Sequence, residues 1–302
     1  MDRYNHLNKY YKDKFGERVL KICVDGGFTC PNRDGAKGVG GCAFCTSRGS
    51  GDHIKFLDVE TQVRQHLDSY RGQRANKFIV YFQNFSNTYS SVENLKKVYD
   101  SALVDDRIVG IAIATRPDCI SESVVDLLKS YKEKYFVMVE LGLQTADDNI
   151  ANIMNLRYSV EDFNNAVRML KRADIEVVAH MMVGLPNETQ QSIDKTLEVI
   201  NCSRVDGIKI HNLYIAEGTR CHEMFLNGNI KELSVDEYLV ILEYIITHLR
   251  SDIIIHRICA DAPKEKLVSP LWNTHKKLIL NGIEKRMIQN KTFQGCFVTK
   301  DI

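Results

Sequence analysis

The sequence VLKICVDGGFTCPNRDGAKGVGGCAFC, residues 19–45, joins an apolar run to a loop that contains three cysteines. The run at 19–24 is rich in Val and Ile, which is typical of a buried β-strand. Within the loop, Cys42 and Cys45 have the C-x-x-C spacing that lets two thiolates face one centre in both zinc and iron–sulfur sites. The stretch therefore predicts a metal centre that follows directly on the first strand of a sheet.

The number of cysteines in this loop favours iron–sulfur chemistry over zinc. Cys30, Cys42 and Cys45 supply three thiols, whereas a structural zinc site normally takes four ligands. The nearby candidates for a fourth ligand, Cys23 and His53, lie outside the usual spacing. An iron–sulfur cubane with three cysteine ligands leaves one iron open for a cofactor or a substrate. The spacing alone leaves both metals open.

The rest of the chain alternates apolar runs with amphipathic segments. The runs show little strict alternation, as do strands of a parallel sheet covered on both faces, and they are KFIVYF (77–82), RIVGIAIA (107–114), YFVMVELGL (135–143), IEVVAHMMVG (175–184) and GIKIHNLYI (207–215). They recur roughly every 30 to 40 residues, which is the length of one βα unit. The pattern predicts a single partial barrel of six strand–helix units, with a further strand at 252–258. A doubly wound open sheet is the alternative fold.

Polar side chains stand at or near the carboxyl ends of the predicted strands, where the loops of a barrel converge and chemistry takes place. They are Gln83, Asn84, Thr115, Glu140, Gln144, His180, Lys209 and His211. Any one of them could be an ordinary buried group with a hydrogen-bond partner. Burying all of them at one end of a barrel without partners would be costly. Together they predict a polar ligand at the mouth of the barrel.

The composition is that of an ordinary globular protein, with 44% hydrophobic and 26% charged residues. A formal net charge of +1 excludes a strongly basic nucleic-acid binder of the histone kind. No run approaches the roughly 18 uncharged apolar residues of a membrane span, and the polar N-terminus lacks the apolar region of a signal peptide. We therefore expect a cytoplasmic protein with no membrane partner, whose nine cysteines stay reduced.

Six segments, in order, resemble radical S-adenosylmethionine (SAM) enzymes. More narrowly they resemble the YhcC/YtqA-like group, which shares its core with elongator-type and coproporphyrinogen-dehydrogenase-type proteins. The segments are DGGFTCPNRDGAKGVGGCAFC, YFQNFSNTY, ATRPD, VELGLQT, HMMVGLPNET and IKIHNLYIAEGT. The resemblance implies an α/β fold with a partial (β/α)6 TIM-like barrel of the radical SAM type, formed by residues 1–260 with an N-terminal extension. It also implies a C-terminal helical extension, residues 261–302, packed on this core.

The resemblance also implies the cofactors. Cys30, Cys42 and Cys45 would ligate a [4Fe–4S] cluster, and the amino and carboxylate groups of SAM would chelate its fourth iron. An external electron donor of the flavodoxin or ferredoxin type would reduce the cluster. Cleavage of SAM would then give a 5′-deoxyadenosyl radical that abstracts hydrogen from the substrate. No second C-x-x-C pair follows, so an auxiliary cluster is not expected, and Cys259 and Cys296 are expected to be ordinary core or surface thiols.

Positions that match the family's motifs imply which residues contact SAM and substrate. The implied SAM contacts are Phe44 at the adenine, Gln83 and Asn84 at the amino end, Gln144 at the methionine or ribose portion, His180 at the ribose, and Arg157 at the carboxylate. Thr115 or Arg116 would make the contact for which some relatives use an acid, because this chain has Ala114 there. Glu140, Lys209 and His211 would line the substrate cavity as catalytic candidates.

The likeness to elongator-type proteins implies tRNA as the substrate, with a wobble-uridine side chain converted from carboxymethylaminomethyl to aminomethyl. Lys209 or His211 would then meet the carboxylate of that side chain. Basic segments at 1–24 and 263–302 lend weak support, since a solvated surface explains them better. Two alternatives stay open: a radical SAM enzyme that acts on a small molecule or peptide, and a zinc-stabilised RNA-binding protein without redox chemistry.

Overall fold

Seven parallel strands form the centre of the fold and curl into a half-barrel. The structure is a computed structural model that describes residues 2–49, 51, 54 and 57–298, so His53 lies outside the described residues. The strands of the half-barrel are β1 (Val19–Val24), β2 (Lys77–Phe82), β3 (Ile108–Thr115), β4 (Phe136–Gln144), β5 (Glu176–Val183), β6 (Gly207–Asn212) and β8 (Ile254–Arg257). Two further strands, β7 (Ile215–Ala216) and β9 (Leu267–Ser269), pair with each other in an antiparallel sheet.

The order of the strands decides between the two predicted folds. Neighbours in the sheet follow one another in the chain from β1 to β6, and β8 is added beside β6. A doubly wound sheet would instead reverse its direction at a switch point within the strand order. The partial barrel is therefore confirmed, and the apolar run at 252–258 contains its seventh strand.

Helices cover the outer face of the strands. They are α1 (Leu7–Phe15), α2 (Val59–Asp68), α3 (Val92–Asp100), α4 (Glu122–Lys132), α5 (Asp148–Ile153), α6 (Val160–Arg172), α7 (Gln190–Cys202), α8 (Arg220–Leu226), α9 (Val235–His248) and α10 (Lys276–Gln289). The main hydrophobic core lies between these helices and the sheet. In α6, Phe163, Val167 and Leu170 are buried on one face, as the 3.6-residue period of the sequence predicts.

The run predicted as one strand at 207–215 is divided in the structure. β6 ends at Asn212, whose side-chain Oδ1 accepts a hydrogen bond from the backbone N–H of Ala260 at 3.0 Å. The chain then turns, and Ile215 pairs with Ser269 in the small sheet. A continuous strand was therefore the wrong prediction, because a partner about fifty residues further along the chain ends β6 at Asn212.

The N-terminal segment lies against both edges of the half-barrel. His6 forms a parallel bridge with Ile255 of β8, and α1 packs against both β1 and β8. Tyr11 is buried beneath the strands, where its ring lies edge-on to Phe136 of β4. This segment therefore bridges the two edge strands of the half-barrel.

The C-terminal residues return to the same region of the molecule. α10 packs on α9, and Gln294 accepts a hydrogen bond from the backbone N–H of Asn5 at 2.9 Å. The division of the chain into a core up to residue 260 and an extension after it stays a prediction. Among the residues that the structure describes, no helix is long and apolar enough to cross a bilayer.

Candidate active site

The cysteine loop follows β1 and lies at the carboxyl ends of the strands. Cys30 is buried, and Cys42 and Cys45 are half-buried. The loop is anchored between two elements, because the N–H of Ala43 donates to the carbonyl of Met154 and the N–H of Cys221 donates to the carbonyl of Ala43, both at 2.9 Å. The segment between Cys42 and Cys45 is therefore fixed by backbone bonds to distant parts of the chain.

Two glycines let the loop fold tightly on itself. Gly41 has φ +82°, in the left-handed region that favours glycine. A Cβ atom on Gly38 would lie 2.3 Å from Oδ1 of Asn32, so any larger residue would displace that side chain. The path of the eleven residues between Cys30 and Cys42 therefore requires glycine at these two positions.

The electrostatics of the loop suit sulfur ligands. Interaction with the thiol of Cys42 lowers the pKa of Cys45 to about 7, and the guanidinium groups of Arg33 and Arg116 act in the same direction. The pKa of Cys42 is raised by its hydrogen bond with Cys45 and by burial. Thiolates are the ligands that iron–sulfur clusters take, and nearby cations stabilise them. The three cysteines therefore fit a cluster by the chemistry of their donor set.

The cysteines do not converge in the way that ligands of a single ion would. Among the described residues, no group of three or more His, Cys, Asp and Glu side chains is arranged to hold one metal ion. In a cubane, by contrast, each cysteine binds a different iron.

Arg116 holds the neighbouring loop against the cysteines. Its guanidinium donates to the carbonyls of Leu156 and Arg157, at 2.8 and 3.1 Å, and it also forms two hydrogen bonds with Asp118. Burial alone would lower the pKa of Arg116, but the carboxylate of Asp118 raises it. Lys37, within the cysteine loop, reaches Asp118 as well, at 2.7 Å. The ion pairs join the cysteine loop to the end of β3, and the hydrogen bonds of Arg116 to the two carbonyls add the segment before α6.

The predicted SAM contacts lie around the mouth, most of them with partners of their own. Asn84 is fully buried and donates to Asp25 at 2.7 Å, while its Oδ1 has no partner among the described residues. Thr115 exchanges a 2.7 Å hydrogen bond with Thr88. Gln83 ends the pairing of β2 with β1, since its N–H donates to the carbonyl of Val24 at 3.1 Å.

The other predicted SAM contacts come from the cysteine loop, β4 and the segment before α6. Phe44 packs against the apolar cluster beneath the cysteine loop. Gln144 has φ +65° at the end of β4, and its amide folds back over Gly142 beside Tyr158. Arg157 is exposed, and its guanidinium bonds to Oδ1 of Asn155 at 2.7 Å. These residues surround the mouth, and their roles toward SAM stay predictions.

Below the mouth lies a buried ionic network around one carboxylate. Glu140 is fully buried and accepts hydrogen bonds from Lys21 at 2.7 Å, from Lys209, and from His180 at 2.9 Å. Burial would raise the pKa of Glu140, but the two lysines and His180 bring it well below its usual range. Burial lowers the pKa of Lys209 to about 7 in spite of this carboxylate. One ring nitrogen of His180 is thus bonded to Glu140, and the contact of His180 with the ribose stays a prediction.

His211 lies beside this network, toward the mouth. Its ring centre is 5.3 Å from that of His180, and its Nε2 is buried with no partner among the described residues. Burial brings the pKa of His211 well below its usual value, so the imidazole is neutral. The mouth therefore leads to an imidazole with one unused hydrogen-bonding atom, and behind it to buried cations.

Comparison with known proteins identifies the family to which this site belongs. Residues 30–200 match the model of the radical SAM superfamily, and residues 205–289 match that of the radical SAM C-terminal domain. An uncharacterized protein of Bacillus subtilis, YtqA, is 35% identical over 304 residues, which cover 98% of this chain and 92% of the relative. The chain belongs to the radical SAM superfamily. Within it, this radical SAM protein belongs to the YhcC/YtqA-like group.

More distant relatives of this radical SAM protein include enzymes of tRNA. A tRNA uridine(34) acetyltransferase of Methanocaldococcus jannaschii is 28% identical over 207 residues, which cover 67% of this chain and 37% of that enzyme. The structure of Elp3 from Methanocaldococcus infernus superimposes with a TM-score of 0.69 at 20% identity, covering 91% of this chain and 64% of that one. The second likeness supports the fold.

Membership of the family settles several predictions. The protein is a radical SAM enzyme, with a [4Fe–4S] cluster and SAM as its cofactors, and the reductive cleavage of SAM as its chemistry. The alternative of a zinc-stabilised RNA-binding protein without redox chemistry is therefore wrong. The individual ligand and contact residues, including the three cysteines, stay predictions that the geometry of the loop supports.

Sequence reasoning missed several parts of the site. Lys21 reads as a single polar residue within an apolar strand, and nothing near it in the sequence indicates Glu140 as its partner. Tyr81, which lies 3.2 Å from the ammonium of Lys209, reads as one more aromatic of β2. Alternation along β1 and β2 could have placed both side chains in the barrel, since residues two apart in a strand share a face.

Proposed function

We propose that this radical SAM enzyme modifies tRNA, converting a wobble-uridine side chain from carboxymethylaminomethyl to aminomethyl. Similarity to a tRNA uridine(34) acetyltransferase over two thirds of the chain supports a nucleoside of tRNA as the substrate. This chain spans 37% of that enzyme, so only the substrate class enters the proposal, and the acetyl transfer does not. When bound, the cluster and SAM would supply a radical that abstracts hydrogen from the carbon between the amine and the carboxylate of the side chain. Loss of one further electron, which the oxidised cluster can accept, would give an imine, and water would hydrolyse this imine to the aminomethyl group and glyoxylate.

The proposal rests on the composition of the buried network below the mouth, where three lysine and histidine side chains surround a single carboxylate. Lys21, Lys209 and His180 all bond to the one carboxylate of Glu140. A substrate carboxylate placed beside His211 would meet the unused Nε2 of that residue, next to a network in which two lysines share one carboxylate. A buried polar atom without a partner is costly, and a ligand that supplies the partner recovers that cost. Lys209 is already bonded to Glu140, so His211 is the better candidate for direct contact.

Two features of the mouth support the orientation of SAM. Oδ1 of Asn84 is a buried acceptor with no partner among the described residues, which suits the amino group of SAM. Phe44 lies between Cys42 and Cys45 in the chain, at the position where the family resemblance implies contact with the adenine. Arg157, Gln144 and Thr115 complete the proposed set around the mouth. The external electron donor of flavodoxin or ferredoxin type and the cytoplasmic location remain parts of this proposal.

The proposal is tested by nucleoside analysis of tRNA. Mass spectrometry of digested tRNA from strains with and without the gene should show carboxymethylaminomethyluridine accumulating, and aminomethyluridine lost, when the gene is absent. Complementation with His211→Phe, which keeps an aromatic ring but removes the nitrogen, should leave most of the substrate unconverted. Loss of a hydrogen bond to a charged group corresponds to a roughly tenfold or greater drop in kcat/KM.

A second measurement separates failure of the substrate assignment from failure of the enzyme. Reconstituted His211→Phe should still form 5′-deoxyadenosine from SAM under reducing conditions, because His211 is proposed to contact the substrate carboxylate. The matched control is His222→Phe on α8, a partly exposed histidine away from the ionic network. An unchanged nucleoside profile, with SAM cleavage intact, would remove tRNA from the proposal and favour a small-molecule or peptide substrate.

A further inference from the structure

Asn32 places an amide group between the cysteine loop and the segment before α6. It stands two residues after Cys30 and is completely buried. Its Nδ2 lies 2.7 Å from the carbonyl oxygen of Asn155 and 3.7 Å from Sγ of Cys42. A primary amide carries two N–H groups, so one can serve the carbonyl while the other points to the sulfur. A protein N–H group is thus directed at one of the three cysteines.

The orientation of this amide is fixed from both sides. The backbone carbonyl of Asn32 accepts from the N–H of Gly41 at 2.8 Å, which fixes the start of the side chain. A separate bond from Nδ2 of Asn155 to the carbonyl of Gly41, also at 2.8 Å, does not involve the amide of Asn32. Oδ1 of Asn32 faces Gly38, where only the absence of a Cβ leaves room for it. Arg116 holds the segment that carries Asn155 by its bonds to the next two carbonyls. The amide therefore cannot turn away from Cys42 without breaking this arrangement.

We propose that Asn32 is a positioning residue that raises the reduction potential of the cluster through an N–H···S hydrogen bond to Cys42. Reduction adds one electron to the cluster, and much of the added negative charge falls on its sulfurs. A hydrogen-bond donor to a cysteine sulfur stabilises that charge more strongly in the reduced state, and hydrogen bonds to the sulfurs are among the factors that set cluster potentials. The inference concerns the cofactor, so it does not depend on the identity of the substrate.

The direct test is a redox titration of the reconstituted holoenzyme without SAM, followed by electron paramagnetic resonance. Asn32→Leu keeps the branching at the γ carbon but has no donor, and Asn32→Asp keeps the volume but has no N–H. Both should lower the midpoint potential. The expected change is about tenfold in the ratio of reduced to oxidised cluster at a fixed potential, or about 59 mV for one electron.

The matched control is Asn155→Gly. Asn155 has φ +54°, which glycine adopts freely, and its backbone carbonyl, the acceptor for Asn32, remains. This variant removes the side-chain bond to Gly41 and leaves the amide of Asn32 in place, so its potential should equal that of the wild type. A shift as large as in the Asn32 variants would show that loop order, rather than the N–H···S bond, sets the potential, and would overturn the proposal.

A measurement on the wild-type protein keeps the inference testable if the Asn32 variants fail to assemble a cluster. In holoenzyme that contains ¹⁵N-labelled asparagine, hyperfine spectra of the reduced cluster should contain one weakly coupled ¹⁵N nucleus. Absence of any asparagine coupling would overturn the proposal. So would cluster-containing Asn32 variants whose midpoint potentials equal that of the wild type.

Discussion

Replacement of Glu140 by Gln removes the only carboxylate of the buried ionic network among the described residues, and its effect on stability follows from its partners. Glu140 has no exposed surface, and the side chains of Lys21 and Lys209 are 16% and 8% exposed. Gln keeps the size of the side chain but not its charge. The two ammonium groups would then lie in the barrel without a counter-ion, which makes the variant a test of the network as a whole.

The magnitude depends on which lysine remains charged. Lys209 has a pKa of about 7, so at pH 8 it is already largely unprotonated and adds little uncompensated charge when Glu140 is lost. Lys21 owes its raised pKa mainly to Glu140, so burial lowers that pKa in the variant. Lys21 is nevertheless the more basic of the two lysines and is the group left with an uncompensated charge. Removing one partner of a buried ion pair costs about 3–5 kcal/mol. We therefore expect the free energy of unfolding of Glu140→Gln to fall by about 3–5 kcal/mol at pH 8.

The same argument gives a pH dependence. Without Glu140 the pKa of Lys209 falls below its wild-type value of about 7. At pH values between the pKa of Lys209 in the variant and that in the wild type, the folded variant binds fewer protons than the folded wild type. The loss of stability should therefore grow as the pH falls from about 8 to about 6. Urea titrations of both proteins at the two pH values, followed by circular dichroism under anaerobic conditions, measure it.

The control variant changes an exposed carboxylate, and the refuting result is the small loss of stability that an exposed ion pair would give. Glu133→Gln at the exposed end of α4 should change the unfolding free energy by less than about 0.5 kcal/mol. A loss below about 1 kcal/mol in Glu140→Gln is what an exposed ion pair would give. That result, or a loss that does not vary with pH, would refute a dry network centred on Glu140.

Three further predictions concern the mouth and the cluster. Gly142→Ala should weaken SAM binding about as much as Gln144→Ala, because the added Cβ would lie 2.7 Å from Nε2 of Gln144, and isothermal titration of the holoenzyme with SAM compares the two variants. Burial raises the pKa of Glu188 to about 7 from 4.5, so the folded state binds the extra proton and the unfolding free energy should fall as pH rises through that window. Glu188→Gln should abolish that slope in urea titrations. Cys45→Ser should lose the brown colour and most of the iron after anaerobic reconstitution, whereas Cys296→Ser should keep both, as elemental analysis would show.

The strands could be predicted from the sequence because each is a short apolar run between helices with a clear period. The run at 207–215 was predicted too long, since the amide of Asn212 that ends β6 has its partner at Ala260. The S-x-x-E pattern of Ser90 and Glu93 predicts a helix start at Ser90, which is one residue too early. Ser91, not Ser90, is the N-cap of α3, because its hydroxyl accepts from the N–H of Asn94. The first error arises because the contact that ends β6 is distant in the chain. The second arises because either of two adjacent serines could serve as the N-cap.

The site was predictable in its residue types but not in its pairings. Lys209, His180 and Glu140 were each expected to face the cavity as separate contacts. The curvature of the half-barrel instead brings them together with Lys21 from the first strand. Closure of a barrel joins strands at opposite ends of the chain, and no local pattern in β1 indicates which residue of β4 it will meet.

Two separate polar networks surround the site, so substitutions in one network should have different effects from substitutions in the other. One network, around Arg116 and Asp118, fixes the cysteine loop at the mouth. The other, around Glu140, lies below the mouth and bears on His211. Variants of the first should reduce iron content and alter the cluster's potential, whereas variants of the second should leave the cluster intact and impair substrate turnover. A variant such as Asp118→Asn that lost turnover with normal iron and a normal potential would show that the two networks act as one.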